Sequence, residues 1–245
     1  EIEFEHVSFA YPEAGENVLT DISFKAKKGQ TIAVIGSTGS GKSTLINLIP
    51  RYYDVTKGSV KVDGVDVRDM TQKELRDKLG YVPQKGVLFS GTIDSNIRYG
   101  KPEITDAQVK EAAEVAQATE FIDTKPEKYE SPVSQGGTNV SGGQKQRLSI
   151  ARAIAKDPEI FIFDDSFSAL DFKTDSQLRK ALKEYTKDAT TVIVAQRIST
   201  ILGADQIIVL DDGHMAGIGT HKELMANCEV YQQIARSQLS EEELA

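Results

Sequence analysis

One short segment limits the folds open to this chain more than any other. The β-branched apolar run at residues 31–35 leads directly into Gly36-Ser37-Thr38-Gly39-Ser40-Gly41-Lys42-Ser43, and residues 42–49 have a helical pattern that stops near Pro50. The glycine-rich segment fits the pattern G-x-x-x-x-G-K-[ST], whose backbone N–H groups hold the phosphates of a nucleotide. A buried strand, a glycine loop and a helix are the context that this motif requires. The segment, called the phosphate loop below, therefore predicts an α/β fold that binds a nucleotide.

The residues of the phosphate loop have distinct expected roles. A triphosphate carries about four negative charges, which backbone N–H groups and the positive end of the following helix attract. Lys42 is expected to reach the β- and γ-phosphates and to assist catalysis, and the Ser43 hydroxyl to bind Mg²⁺. The alternative is a glycine turn without a ligand. The candidate nucleotide-binding residues here are Gly36, Ser37, Thr38, Gly39, Ser40, Gly41, Lys42, Ser43 and Thr44.

Strand-like and helical patterns alternate along the rest of the chain. We predict strands at 59–62, 79–82, 159–163, 191–195 and 207–210, and helices at 105–121, 141–156, 173–186 and 198–202. Residues 1–30 predict antiparallel strands, and residues 222–245 predict a helical tail. This alternation predicts a mostly parallel core sheet with helices on both faces. We expect one domain, 1–245, with a core and β-subdomain at about 1–85 and 156–245 and a helical subdomain inserted at about 86–155.

Composition excludes several classes of function. The chain has 245 residues, 39% of them hydrophobic, which is enough to bury a core. A net charge of −8 argues against a nucleic-acid surface, which clusters Lys and Arg. No apolar run approaches the roughly 20 residues that span a bilayer. The single cysteine, Cys228, rules out an internal disulfide and is expected to be structural.

A second glycine segment lies far downstream, at Ser141-Gly142-Gly143-Gln144. Ser141 is a good N-cap, and Gly142 and Gly143 leave backbone N–H groups exposed at a helix start. This end suits a phosphate, although the chain already has a phosphate loop; the alternative is a capped helix without a ligand. Together, the two segments resemble the ATP-binding cassette (ABC) family. In that family the phosphate loop of one subunit closes over ATP against the glycine-rich signature of another, in a head-to-tail dimer.

The resemblance extends to residues that would hold the metal ion. The strand Ile160-Phe161-Ile162-Phe163 delivers Asp164 at its end, where ligands sit in open α/β sheets, and resembles the family's Walker B strand. Gln84, in Tyr81-Val82-Pro83-Gln84, resembles the glutamine that meets Mg²⁺ and the attacking water and links to the transport machinery. The resemblance therefore implies Ser43, Gln84 and Asp164 as Mg²⁺ ligands, with ATP as the nucleotide. For Asp164 the alternative is a carboxylate that caps the next segment.

Three further positions match the family. Tyr11 resembles the aromatic residue that stacks on adenine, with an ordinary strand tyrosine as the alternative. Asp171, in Ser168-Ala169-Leu170-Asp171, resembles the D-loop at the subunit interface. In Thr220-His221-Lys222-Glu223-Leu224, which resembles the family's C-terminal segment, His221 is expected to start a helix rather than to act in catalysis.

Two departures from the family fall on the hydrolytic positions. The family places Glu after the Walker B aspartate to polarise the attacking water, but this chain has Asp165. The family places His after the switch strand, but this chain has Gln196. Both are candidate catalytic residues of a weakened site. A smaller departure lies upstream of the signature. The exporter pattern there is Val-Gly-Glu-x-Gly, but this chain has Val133-Ser134-Gln135-Gly136-Gly137.

Because it has these departures but keeps the binding residues, the chain resembles one half of a heterodimeric ABC exporter. The resemblance implies a site of low turnover on this chain's own phosphate loop and a signature that completes the site of a non-identical partner. It also implies N-terminally fused transmembrane domains, at the cytoplasmic face of the cell membrane. One alternative is a regulatory ATP-binding module without meaningful hydrolysis. Another is a soluble ABC ATPase that acts on DNA ends or ribosomes, which the acidic composition and the short helical block disfavour.

Overall fold

The computed structural model describes residues 1–244 and divides into two compact units. The first unit is Glu1–Leu79 together with the segment from Ala189 onward, and the second is Gly80–Asp188. The predicted α/β fold is confirmed. The subdomain limits predicted near residues 86 and 155 stay a prediction.

The described residues form ten α-helices and twelve strands. Up to Val82 they are β1 (Ile2–Phe9), β2 (Leu19–Ala26), β3 (Thr31–Gly36), α1 (Lys42–Asn47), β4 (Lys57–Val62), β5 (Val65–Asp66), α2 (Gln72–Asp77) and β6 (Leu79–Val82). Next come β7 (Gly91–Thr92), α3 (Ile93–Ile97), α4 (Asp106–Val115), α5 (Thr119–Asp123), β8 (Pro132–Val133), α6 (Gly142–Ala155), β9 (Ile160–Asp164) and α7 (Phe172–Tyr185). The chain continues with β10 (Thr190–Val194), β11 (Gln206–Asp211), β12 (His214–Gly219), α8 (His221–Asn227), α9 (Glu229–Gln238) and α10 (Glu241–Leu244).

The first unit begins with an antiparallel sheet in the order β2-β1-β4-β5. Alternate residues of β1 face the interior, and the ring of Phe4 stacks on that of Phe24 at 4.6 Å between centroids. The two-residue turn Asp63-Gly64 joins β4 to β5 with both residues at positive φ, which matches the twist of a hairpin. The predicted antiparallel start of the chain and this turn are confirmed.

Strand β3 lies between two parallel neighbours, β10 and β11. It is covered on both faces, so its residues from Ile32 to Ile35 are all buried. In the register with β10, Val34 lies opposite Val194, and the N–H of Ala195 donates to the carbonyl of Val34 at 3.2 Å. Both strands therefore end at one edge of the sheet, with Gly36 and Gln196 each two residues beyond this pair.

The C-terminal helices close the first unit, as the predicted helical tail requires. Helices α8 and α9 bury Leu224, Tyr231 and Ala235 against residues of β3, β11 and the segment after β10. Burial raises the pKa of Tyr231 to about 12, and a hydrogen bond of 2.6 Å joins its hydroxyl to Nδ1 of His221. His221 opens α8 after its N-cap Thr220, so its predicted place at a helix start is confirmed.

The second unit contains the paired strands β6 and β9 and most of the remaining helices. Helix α6 is its longest buried element, with the Leu148, Ile150 and Ile154 side chains at most 1% exposed. Helices α3 and α4 both pack on α6. None of the helices described in residues 1–244 has the length and apolar character that crossing a membrane requires.

Three predicted helices differ in extent from the observed ones, and the largest difference lies in the second unit. The pattern at 105–121 predicted a single helix, but α4 ends at Val115 and α5 begins at Thr119. Gln117 has a φ of 59°, and the N–H of Ala118 donates to the carbonyl of Ala113 at 2.8 Å. This backbone arrangement ends helices in many proteins but normally uses glycine, so a glutamine at this position does not signal it. The predicted helices at 42–49 and 198–202 are also shorter, namely α1 and the 3-10 turn Ile198–Thr200.

Candidate nucleotide-binding site

The predicted site residues are divided between the two units. Tyr11, the phosphate loop and Gln196 belong to the first unit. Gln84, Asp164, Asp165, Asp171 and the signature at residues 141–144 belong to the second. Within the first unit, sheet register brings the start of the phosphate loop and Gln196 to the same edge.

Two glycines of the phosphate loop are required by the packing of the chain itself. A Cβ atom at Gly36 would lie 2.4 Å from the carbonyl oxygen of Leu210, closer than any real contact of this kind. Gly41 has a φ of 104°, and its Cβ would lie 2.8 Å from the Leu19 side chain. Glycine at both positions lets the loop turn tightly between β3 and α1.

Positive charge lies at the phosphate loop. Lys42 donates from Nζ to the carbonyl oxygens of Gly36 at 2.7 Å and Ser37 at 2.9 Å, so its ammonium group lies at the loop. Helix α1 has no side-chain cap and no acidic residue in its first turn. The Ser40 hydroxyl is buried without a hydrogen-bond partner among the described residues. These features fit a loop whose N–H groups and lysine are completed by an anion.

Gly213, which was not among the predicted site residues, binds the backbone of the phosphate loop. The N–H of Gly213 donates to the carbonyl of Ser40 at 3.0 Å, and the carbonyl of Gly213 accepts the N–H of Thr20 at 2.9 Å. Gly213 forms the β11–β12 turn with Asp212, both at positive φ. The dipeptide Asp-Gly between two strand-like runs is a strong hairpin signal, and it would have found β12 as well.

Tyr11 is fixed beside the phosphate loop. A hydrogen bond of 2.7 Å joins its hydroxyl to Oγ1 of Thr44, at the start of α1. Its ring meets those of Phe9 and Tyr53 edge to face, at 4.9 Å and 5.2 Å between centroids. The structure thus brings together Tyr11 and Thr44, two predicted nucleotide-binding residues. Tyr53, which the sequence analysis did not select, is the exposed aromatic residue of this cluster.

In the second unit, the structure brings Gln84 and Asp165 together. Gln84 donates from Nε2 to Oδ2 of Asp165 at 3.2 Å. Asp164 is the last residue of β9, and Asp165 follows it with a φ of 47°, in the left-handed region that non-glycine residues rarely adopt. Gln146 of α6 donates to the carbonyl of Pro83 at 3.0 Å, which holds the segment just before Gln84.

The signature begins a helix, as predicted. Ser141 is the N-cap of α6: its hydroxyl accepts the N–H of Gln144 at 3.1 Å, and Oε1 of Gln144 accepts the N–H of Ser141 at 3.2 Å. A Cβ at Gly142 would meet no atom within 4 Å, and at Gly143 only ordinary contacts of 3.5 Å or more. Neither glycine is required by packing in this chain. Both N–H groups lie in the first helical turn, where an α-helix offers no backbone acceptor.

Neighbouring side chains fix the signature and the D-loop segment. Arg147 stacks over the ring of Phe121 at 4.8 Å and donates to the carbonyl oxygens of Gly143 and Gln117. Burial lowers the pKa of the Arg147 guanidinium. Asp171 is the N-cap of α7, and the Thr174 backbone N–H and hydroxyl that donate to its carboxylate lower the pKa of Asp171.

Helix starts in this chain differ in their charge. Among the ten α-helices of residues 1–244, eight have an acidic residue in the first turn, where it complements the helix dipole. The two that lack one are α1, after the phosphate loop, and α6, at the signature. Both predicted phosphate-binding segments therefore open on a helix end that no acidic side chain of its own first turn neutralises.

Comparison with known proteins supports this reading of the motifs. Residues 19–168 match the family model described as ABC transporter. An uncharacterized ABC transporter ATP-binding protein of Mycobacterium tuberculosis (strain ATCC 25618 / H37Rv) is 50% identical over 234 residues, covering 94% of this chain and 40% of that protein. A protein of Bacillus subtilis (strain 168), whose name assigns it to multidrug export as an ATP-binding/permease protein, is 48% identical over 91% of this chain and 39% of its own length.

A solved structure agrees with the sequence comparison. The structure of a bacterial Atm1-family ABC exporter with ATP bound matches this fold with a TM-score of 0.93 at 38% identity. The match covers 98% of this chain and 42% of that chain, so the chain spans about two fifths of the proteins it resembles. The chain belongs to the ABC transporter family and is an ATP-binding domain of the family's ATPase fold.

Proposed function

We propose that this chain is the ATP-driven motor domain of a membrane exporter, with a weakened hydrolytic site of its own and a signature that completes the site of a non-identical partner. Relatives whose names combine ATP-binding and permease functions support an exporter that also has transmembrane domains. We propose that these domains are fused on the N-terminal side of this chain. On this proposal the domain works at the cytoplasmic face of the cell membrane.

Nucleotide binding would use the residues that the motifs select. Tyr11 would stack on adenine, residues 36–44 would hold the phosphates, and Asp171 would lie at the partner interface. Mg²⁺ would be held by Ser43, Gln84 and Asp164, and when bound it would offset charge on the terminal phosphates. The uncapped start of α1 and the position of Lys42 at the loop carbonyls support this assignment.

The hydrogen bond between Gln84 and Asp165 is the main support for a weakened hydrolytic site. The carboxylate after the Walker B aspartate already lies within 3.2 Å of the Gln84 amide, the other group expected at the attacking water. Aspartate withdraws that carboxylate by about 1.5 Å relative to glutamate. A misplacement near 1 Å can lower a rate on the order of 100-fold.

Gln196 weakens the same site in a second way. It lies at the sheet edge beside the start of the phosphate loop, where it can donate a hydrogen bond to the terminal phosphate. A glutamine amide has no proton that titrates near neutral pH and no positive charge, so it cannot replace a histidine in stabilising the developing charge.

Restoring both residues tests the weakened site. The variant Asp165→Glu with Gln196→His, called the restored chain below, should turn over ATP about 100-fold faster than the natural sequence, because it regains the carboxylate position and a titratable group. The same two kinds of change at exposed positions, Asp188→Glu with Gln233→His, form the control. Equal turnover in all three proteins would contradict the proposal.

A mixing experiment tests the role of the signature. The restored chain with Gly142→Asp has a repaired hydrolytic site but a signature that repels phosphate, so it should be nearly inactive alone. Adding the natural chain, whose signature is intact, should produce turnover. Adding instead the natural chain with Gly142→Asp should not.

The main alternative is a regulatory module that binds ATP without hydrolysing it, which Asp165 and Gln196 also favour. It predicts tight ATP binding but no turnover in the mixture. A soluble ABC ATPase unconnected with transport is a weaker alternative, and it predicts ATP turnover that does not respond to insertion in a membrane.

A further inference from the structure

A glutamine at the end of α9 binds the backbone beside Gln196. Gln238, the last residue of α9, donates from Nε2 to the carbonyl oxygen of Gln196 at 2.7 Å. Its Oε1 accepts the N–H of Ile198 at 2.7 Å. One side-chain amide therefore binds the backbone on both sides of Arg197, much as a neighbouring strand would.

The turn that follows Gln196 has no side-chain cap from its own N-cap residue. Ile198 begins the 3-10 turn Ile198–Thr200, and Arg197 at its N-cap position makes no side-chain capping hydrogen bond. The first N–H groups of a helical turn lack partners within that turn. Gln238 supplies an acceptor for one of them, so it acts as a cap delivered from a distant helix.

The scaffold that delivers Gln238 is buried. Tyr231 and Ala235 of α9 are both 0% exposed, and they pack in one cluster with Ala195 and Ile198. The N–H of Leu239 donates to the carbonyl of Ala235 at 2.9 Å, which keeps the last turn of α9 closed. Core packing therefore sets where α9 places Gln238, which is itself exposed.

Both partners of Gln238 are backbone atoms, so the contact does not depend on which side chain stands at position 196. It fixes the orientation of the peptide at the edge of the sheet, beside the start of the phosphate loop. We propose that Gln238 is a positioning residue for ATP hydrolysis, which sets the direction in which the side chain at position 196 reaches the terminal phosphate. This inference rests on the role proposed above for Gln196.

The test uses the restored chain, in which turnover is high enough to measure. Gln238→Met keeps a side chain of similar length but removes both hydrogen bonds. Gln238→Glu keeps the acceptor but loses the donor at neutral pH. Gln233→Met makes the same change at an exposed position of the same helix. We expect Gln238→Met to speed amide hydrogen exchange at Ile198 about fivefold. We expect kcat to fall about tenfold, with the KM for ATP unchanged.

Gln238→Glu separates the two bonds and guards against a folding defect. It should keep Ile198 protected from exchange but still lower kcat, because a carboxylate cannot donate to the carbonyl of Gln196. A lower melting temperature with unchanged kcat in both variants would mean a purely structural contact and would overturn the proposal.

A further variant keeps this inference separate from the proposed function. If Asp165→Glu with Gln196→Ala is much slower than the restored chain, but Gln238→Met is as fast as Gln233→Met, the positioning role is wrong and the proposed function stands. If Gln196→Ala is as active as Gln196→His, the role of position 196 fails, and the catalytic role of Gln238 fails with it.

Discussion

The two glycine segments of this chain use glycine for different physical reasons. In the phosphate loop, a methyl group at Gly36 would collide with the backbone of Leu210, and Gly41 has a φ that other residues avoid. In the signature, Gly142 and Gly143 have room for a methyl group and need no unusual φ. The fold explains the first pair. The fold does not require the second pair, and the proposed function supplies a reason for it: a phosphate that approaches from outside the chain.

The largest expected effect lies in the phosphate loop. Gly36→Ala should lower the free energy of unfolding by about 2 kcal/mol, because backbone atoms cannot move away cheaply from the new methyl group. The melting temperature should fall by about 4–8 °C. ATP binding should fall at least tenfold, since the loop must shift; calorimetry and thermal unfolding measure both. Gly203→Ala, at a position with open space and no positive φ, is the control that should change neither. Normal stability in Gly36→Ala would remove the contrast with the signature.

In the signature, the same substitution should separate stability from activity. Gly142→Ala should leave the melting temperature unchanged or raise it, because alanine favours the helix. The free energy of unfolding should rise by up to about 1 kcal/mol. ATP binding to the chain's own loop should not change. In the restored chain, steady-state turnover should fall about tenfold, because the methyl group keeps the phosphate away from the first N–H groups. Undiminished turnover would mean that no phosphate approaches α6.

A smaller effect distinguishes capping from ligand binding at the same helix. Ser141→Ala removes the cap of α6 and should cost about 1 kcal/mol of stability. Thr220→Ala removes a capping box of the same type from α8, with similar hydrogen bonds to Glu223, and should cost about the same. Only Ser141→Ala should also lower turnover of the restored chain. If the two variants are equal in turnover as well as in melting temperature, Ser141 is a cap and nothing more.

The same contrast between internal and external causes explains what the sequence could predict. Strand β6 was predicted with its observed bounds, and α6 was predicted to begin at Ser141, because apolar runs and cap residues are local signals. The break at Gln117 was missed because a left-handed glutamine has no local signature. Strand β12 was missed although the dipeptide Asp212-Gly213 is a local hairpin signal.

Within the site, residue identity was easier to predict than contact. The motifs selected Gln84 and Asp165 separately, but their hydrogen bond joins residues far apart in the chain and depends on the fold. Gln238 had no motif at all, because its partners are backbone atoms that any sequence would provide. The catalytic and ligand-binding roles of all these residues remain predictions that the variants above test.

The finest test of the comparison concerns charge at the start of α6, which no acidic residue of its first turn neutralises. Gly142→Asp should stabilise the chain over Gly142→Asn by about 0.5 kcal/mol at low salt, because only the aspartate charge interacts with the helix dipole. The difference, measured by urea unfolding, should shrink at high salt as screening increases. In the restored chain the order should reverse, with Gly142→Asp slower than Gly142→Asn, since a fixed carboxylate occupies and repels the place of a phosphate. Equal stability at low salt would mean that this helix end attracts no anion. Equal turnover would mean that the positive helix end is not where the partner's ATP binds.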